Sequence, residues 1–266
     1  MSRFTDQHYL KTDQYRDSSN LDARIVIHQR FSANPYGWFN WVFDTLVKAP
    51  ADARILELGC GSGMLWKQCA DRIPAGWTIT LSDLSDGMLD SAWRNLVVAG
   101  RSFKFEQIDA QSIPYPDATF DMVIANHMLY HVPDRAKALA EIKRVLKDDG
   151  CVIATTVGKN HLKEMNVWLA RVTTEENCTT PTQPFTLENG FSQLQEFFST
   201  VTLSRYEDNL KVTEVEPLMA YIRSMIRADQ LSQAELAKIE TELTASLAKN
   251  GEIFITKDSG LFEAAK

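Results

Sequence analysis

Ile55-Leu56-Glu57-Leu58-Gly59-Cys60-Gly61-Ser62-Gly63 runs from apolar residues into three glycines at alternate positions. Met64 to Ala70 follows, with good helix formers and no proline. The pattern predicts a buried strand, a tight turn and a helix. Glycine serves where backbone turns through positive φ or lets a ligand approach closely. A dinucleotide turn reads Gly-x-Gly-x-x-Gly/Ala. Gly59 and Gly61 fit that spacing, but the third position falls on Met64. Glu57 stands at the mouth of the turn, where a carboxylate repels pyrophosphate and suits a cationic ligand. A glycine-rich turn of some other α/β protein is the bland alternative.

Outward from this turn, strand and helix patterns alternate. Trp77 to Asp83 is β-rich and ends on an acid. Asp86 to Ala99 carries Met88, Leu89, Ala92, Trp93 and Leu96 at helical spacing. Phe103 to Asp109 alternates and ends on another acid, and Phe120 to Asn126 reads as a buried strand. Arg135 to Leu146 is an amphipathic helix, with Asp149-Gly150 as its expected stop and Cys151 to Thr156 as the next strand. Such alternation predicts an α/β fold with a mostly parallel sheet and helices on both faces. Ligands of open α/β sheets bind outside the carboxyl ends of the strands. Asp83, Asp109 and Asn126 stand at three such ends. Each alone reads equally as a turn former.

The C-terminal third predicts a strand at Thr200 to Leu210 and helices at Glu214 to Ile226 and Ser232 to Lys249. Ser232 and Glu235 form a capping-box pattern. A last strand is expected at Ile253 to Thr256, before a turn at Gly260. Residues 159–190 read as a partly irregular insertion around Pro181 and Pro184. A helix at Leu21 to Phe31 and an aromatic cluster (Tyr36, Trp38, Phe39, Trp41, Phe43) precede the sheet.

The chain has 266 residues, enough for one large domain or one domain with insertions. At 44% hydrophobic and 24% charged it reads as soluble and globular. A net charge of -7 is a poor match to a broad phosphate-binding face. No apolar run is long enough to span a bilayer, and the N-terminus is too polar for a signal peptide. Cys60, Cys69, Cys151 and Cys178 are widely spaced and read as reduced thiols of a cytoplasmic protein.

Glu-x-Gly-x-Gly-x-Gly resembles motif I of the class I S-adenosylmethionine (SAM)-dependent methyltransferases. Ala125 to Asp134 is typical of their UbiE-like, methyltransferase type 11 small-molecule branch. The resemblance covers residues 50–156 and implies a Rossmann-like seven-stranded sheet whose last strand, here Ile253 to Thr256, is antiparallel. It implies one domain over 1–266, with a helical cap at 1–48 and a SAM-binding core at 49–158. Insertions fall at 159–195 and 212–250, and the last two strands at 196–211 and 251–266. It further implies that Glu57, Gly59, Cys60 and Gly61 line the methionine part of SAM. Asp83 is expected to bond the ribose hydroxyls, with Leu84 and Met88 against the adenine. Asp109, paired with Ala110, is expected to take the adenine amino group. Asn126 and His127 are expected beside the transferred methyl. An Asn/Asp-Pro-Pro-Tyr sequence is missing, since Asn126 is followed by His127-Met128, and no cysteine pair stands where RNA cytosine enzymes place nucleophiles.

The expected function is methyl transfer from SAM to a small molecule, with the atom methylated left open. An RNA or protein methyltransferase and a non-catalytic SAM-binding protein are the alternatives. His127 and His131 are the candidate bases, one turn apart if their segment is helical. The competing readings are a backbone contact for His127 and a helix cap for His131. A metal site from this pair lacks a third ligand. Tyr9, Tyr15, Tyr36, Trp38 and Trp41 are candidates for the roof of the acceptor pocket, with core packing an equal reading for Trp41 and Phe43. Arg24 and His28, one turn apart on the first helix, read by default as a solvated face, with contact to the SAM carboxylate or to an acidic acceptor as the alternatives.

Overall fold

The computed structural model describes residues 3–98, 100–172, 184–225 and 231–266. Cys178 and Pro181 lie outside the described residues. Seven strands form one sheet in the order β3-β2-β1-β4-β5-β9-β6. They are β1 (Arg54–Leu58), β2 (Thr78–Asp83), β3 (Lys104–Gln107), β4 (Phe120–Asn126), β5 (Leu146–Val157), β6 (Thr200–Tyr206) and β9 (Ser259–Ala265). The first five pair in parallel, and β9 runs antiparallel between β5 and β6.

Both sheet faces are covered, so the central strands are apolar at nearly every position. In β4, Val123 and Ala125 face one core with Ala138, Leu139 and Ile142 of helix Arg135–Val145. Met122 and Ile124 face the other, with Phe43, Leu46, Trp66 and Ala92. Chain order reverses between β1 and β4, which makes their carboxyl ends the switch point where α/β sheets hold ligands.

Three expectations fail at element level. Ile253–Thr256 forms β8, which pairs with β7 (Asn209–Val212) in a separate two-stranded ribbon. The sheet's antiparallel strand is β9 instead, and Gly260 lies within it rather than at a turn. There Gly260 opposes β6 so closely that an added Cβ would lie 2.6 Å from the Ser204 carbonyl oxygen. The expected strand at Thr200 to Leu210 is accordingly two, β6 and β7, and each of 196–211 and 251–266 holds two strands. Asp149-Gly150 does not stop the helix, which ends at Val145; β5 already starts at Leu146.

The cap has a core of its own. Ile27 and Phe31 of helix Ser19–Phe31 meet Leu210, Val212 and Ile255 of the ribbon. Leu218 and Ile222 of helix Val215–Arg223 and Ile239 and Leu243 of helix Gln233–Asn250 complete it. The Ser232–Glu235 capping box forms as its spacing predicts. The insertion after β5 is partly regular, with a helix at Lys163–Val172.

Candidate active site

The turn after β1 is left-handed at all three glycines: φ is 68° at Gly59, 54° at Gly61 and 72° at Gly63. A Cβ on Gly59 would lie 2.8 Å from Met128 Cβ, and one on Gly61 would lie 2.7 Å from Leu21 Cδ2. The turn is therefore clamped between the segment after β4 and the first cap helix. Above it opens a cavity of about 990 Å³. That is the upper end of the usual range for small-molecule sites.

Ten of the eleven expected cofactor contacts line this cavity: Glu57, Gly59, Cys60, Gly61, Asp83, Leu84, Met88, Asp109, Asn126 and His127. Ala110 does not; it is packed in the core beneath. Glu57 is 2% exposed and its Oε2 accepts from Trp66 Nε1 at 2.6 Å. Burial pushes its carboxyl up to about 7, with the Asp83 charge adding to the effect. Asp83 is also raised by burial, although its oxygens accept from the Gly61 and Ser85 amides at 3.0 and 2.9 Å. With about four lone-pair sites on a carboxylate, acceptor capacity remains for a ligand hydroxyl. Asp109 accepts from the Gln111 amide at 2.9 Å and from Gln7 Nε2 at 3.1 Å. Asn126 Oδ1 accepts from the Thr155 hydroxyl.

His127 and His131 are not stacked on one helical face. His127 has φ 53°, a strained value for a side chain of this size, and donates its amide to Thr155. Its ring lies 5.2 Å from that of Trp38. His131 ends a short 3₁₀ turn, Leu129–His131, and points elsewhere. Its Nδ1 is 2.8 Å from the Phe4 carbonyl and its Nε2 is 2.9 Å from the Tyr15 hydroxyl. A carbonyl only accepts, so Nδ1 carries the proton. Burial holds both imidazoles down at about 4, so the ring is neutral near pH 7 and Nε2 accepts from Tyr15.

An N-terminal arm, residues 4–16, crosses the cavity mouth. Gln7 reaches Asp109, the Tyr15 carbonyl accepts from Ser85 Oγ at 2.6 Å, and Gln14 Nε2 donates to the Ser224 carbonyl at 2.9 Å. Of the expected roof, Tyr15, Tyr36 and Trp38 line the cavity, whereas Tyr9 and Trp41 do not. Trp41 packs on Tyr206, ring centroids 5.2 Å apart, and Phe43 is fully buried.

Arg24 and His28 are not a solvated face. Both line the cavity, and Arg24 Nη2 and His28 Nδ1 are sealed from bulk water. Sequence reasoning also missed Tyr130, His161, Tyr221 and Lys257. Tyr130 stands inside the quoted Ala125 to Asp134 segment. The others lie outside the strand-end motifs and carry no local signal. Lys257 is tied to Asp208 at 2.6 Å in a buried ion pair.

Cys60, Cys69 and Cys151 are free thiols. Among the described residues, no group of three or more His, Cys, Asp or Glu is placed to hold a metal ion. No helix among them is long and apolar enough to cross a membrane.

A sheet of this order, with its antiparallel strand next to the edge and acids around a glycine turn, defines the class I methyltransferase architecture. Residues 56–154 match the family model described as "Methyltransferase domain", and the chain carries a class I SAM-dependent methyltransferase domain. It is similar to the ubiquinone biosynthesis O-methyltransferase of Thiobacillus denitrificans, 36% identical over 53% of this chain and 66% of that one. It is also similar to the malonyl-[acyl-carrier protein] O-methyltransferase of Legionella pneumophila, 32% identical over 45% and 42%. The chain thus spans from about two fifths to two thirds of these relatives. A solved structure of phosphoethanolamine N-methyltransferase 2 from Haemonchus contortus, in complex with S-adenosyl-L-methionine, covers all of this chain with 60% of its own. Its TM-score is 0.59 at 21% identity, a likeness of fold.

Proposed function

We propose that this chain transfers a methyl group from SAM to a small-molecule acceptor bound under the arm and cap. The observation that carries the reading is the convergence of Glu57, Asp83, Asp109 and the Gly59–Gly61 turn on one cavity at the sheet's switch point. The donor set suits the group: carboxylates for ribose hydroxyls and for positive charge, and a glycine turn for close backbone approach. SAM supplies an electrophilic methyl on a sulfonium. The protein's work is alignment and exclusion of water, which the arm and cap suit. Trp38 and the nearby tyrosines offer aromatic faces to positive charge. Where the acceptor must lose a proton, Tyr15 backed by His131 Nε2 is the proposed acceptor of it, and His127 the second candidate.

Calorimetry with SAM and S-adenosylhomocysteine tests the reading. Binding by the native protein is expected; none would overturn it. Labelled SAM with fractionated extract then reports the acceptor's size class. An RNA acceptor would instead appear as salt-sensitive tRNA binding, and a non-catalytic protein would bind SAM without turnover. The net charge of -7 favours a small molecule over nucleic acid. The free thiols fit a cytoplasmic location.

A further inference from the structure

Helix Ser19–Phe31 presents Leu21, Arg24 and His28 to the cavity. The spacing places them on one stripe. Leu21 sits against the Gly61 turn. At 1.5 Å per residue, Arg24 lies about 4.5 Å further along the axis and His28 about 10 Å. Arg24 Nη2 and His28 Nδ1 are both buried without a hydrogen-bond partner. Arg24 takes part in no ion pair among the described residues; Arg54, Arg94, Arg101 and Arg135 share that, but Arg24 alone of them has a guanidinium nitrogen both buried and unpartnered. Its guanidinium carbon lies 5.3 Å over the Tyr15 ring; Tyr15 also hydrogen-bonds the group, and Tyr130 and Tyr221 act on its charge, but Nη2 stays unpartnered.

A sequestered guanidinium without a counter-charge is costly, and proteins keep one where a ligand supplies the partner. The cavity's acids are engaged elsewhere: Glu57 with Trp66, Asp83 with Gly61 and Ser85, Asp109 with Gln111 and Gln7. Lys257, another cation lining the cavity, is neutralised by Asp208. Among the described residues none supplies that counter-charge, and an anion from solution fits the position. Arginine's planar fork matches a carboxylate in two hydrogen bonds, with phenol O–H groups beside it as further donors.

Resting on the methyltransferase reading above, we propose that Arg24 seats a carboxylate of the methyl acceptor, at a point distinct from the atom methylated. The acceptor is then a small organic acid. The stripe favours the acceptor over the cofactor's own carboxylate. Its second unpartnered polar atom, His28 Nδ1, lies beyond Arg24, with the ring 6.0 Å from that of His161 and 6.1 Å from that of Tyr221, on the side away from the glycine turn.

The test is a titration of benzoate, and separately of benzamide, into protein saturated with S-adenosylhomocysteine. Benzoate is expected to bind at one site, with benzamide at least about tenfold weaker. Arg24→Gln is expected to lose at least about tenfold of the benzoate affinity while S-adenosylhomocysteine binds as before. Arg24→Lys, which keeps the charge but not the fork, is expected to fall between; it carries the test if the Gln protein fails to fold. Absence of benzoate binding, or binding unchanged in Arg24→Gln, overturns the proposal. So does a loss of S-adenosylhomocysteine affinity in Arg24→Gln with 5′-methylthioadenosine, which lacks the amino-acid tail, unaffected: that result assigns the guanidinium to the cofactor. If S-adenosylhomocysteine does not bind the native protein, the methyltransferase reading fails by itself. The benzoate arm, run on the protein alone, still decides what Arg24 seats.

Discussion

Tyr15 and His131, 116 residues apart in sequence, share a hydrogen bond of 2.9 Å beneath the arm. The ring's proton is committed to the Phe4 carbonyl, so the phenol faces a fixed lone pair. Tyr15→Phe and His131→Ala are expected to lower kcat by about 10²-fold or more if the pair handles the acceptor's proton. Methyl transfer measured under saturating SAM checks this. A pure loss of packing would instead raise KM and leave kcat and its pH profile in place.

Asp83→Ala should weaken S-adenosylhomocysteine binding by about tenfold or more, because two hydrogen bonds to a charged group are removed. Asp83→Asn should retain part of the affinity. Calorimetry that finds the Ala protein binding as tightly as the native one would refute the assigned ribose contact.

Gly87 is packed so closely under the arm that a Cβ there would lie 1.8 Å from the Arg16 carbonyl oxygen. It stands in helix Asp86–Leu96, where alanine is intrinsically favoured by about 1 kcal/mol. Gly87→Ala should therefore keep the helix and displace the arm. Limited proteolysis is expected to cut within residues 4–16 faster in this variant, with circular dichroism unchanged. Equal cleavage rates would show that the arm does not depend on this contact.

Acid should destabilise the protein early. Burial holds His127 and His131 at about 4 and His161 at about 3, and lowers His28 strongly, against 6.5 for a free imidazole. Between those values the unfolded chain binds more protons, so stability falls as pH drops from 6.5 toward 4. Glu57 and Asp83, both raised by burial, act oppositely and lose stability as pH rises, in the case of Glu57 from 4.5 to about 7. Each pKa unit is worth about 1.4 kcal/mol, and four imidazoles outweigh two carboxyls. The urea midpoint of the ligand-free protein is expected to be lower at pH 5 than at pH 7.5. An equal or higher midpoint at pH 5 would contradict the buried neutral histidines.

The core strands were legible because both faces of the sheet are covered. Phe120–Asn126 reads as an unbroken apolar run and forms β4 with those bounds. The last strands were not. Ile253–Thr256 has the stronger β propensity, yet Ser259–Ala265 enters the sheet, since small residues fit where β6 and β9 press together. The residues expected to hold the cofactor could be placed on one cavity from sequence because the acids follow the strands that position them. The acceptor half depends on encounters between distant segments. Helical periodicity placed Arg24 and His28 on one stripe but could not say that Tyr221, about two hundred residues on, would help to cover it.

The arm touches every part of the site at once: Ser85 after β2, Asp109 after β3, His131 after β4 and Ser224 in the cap. Any ligand that favours the docked arm prepays its ordering for the next ligand to arrive. An arm of this kind would couple donor and acceptor binding over and above their direct contact. Linkage requires the gain to be reciprocal: the factor by which S-adenosylhomocysteine tightens acceptor binding is the factor by which the acceptor tightens S-adenosylhomocysteine.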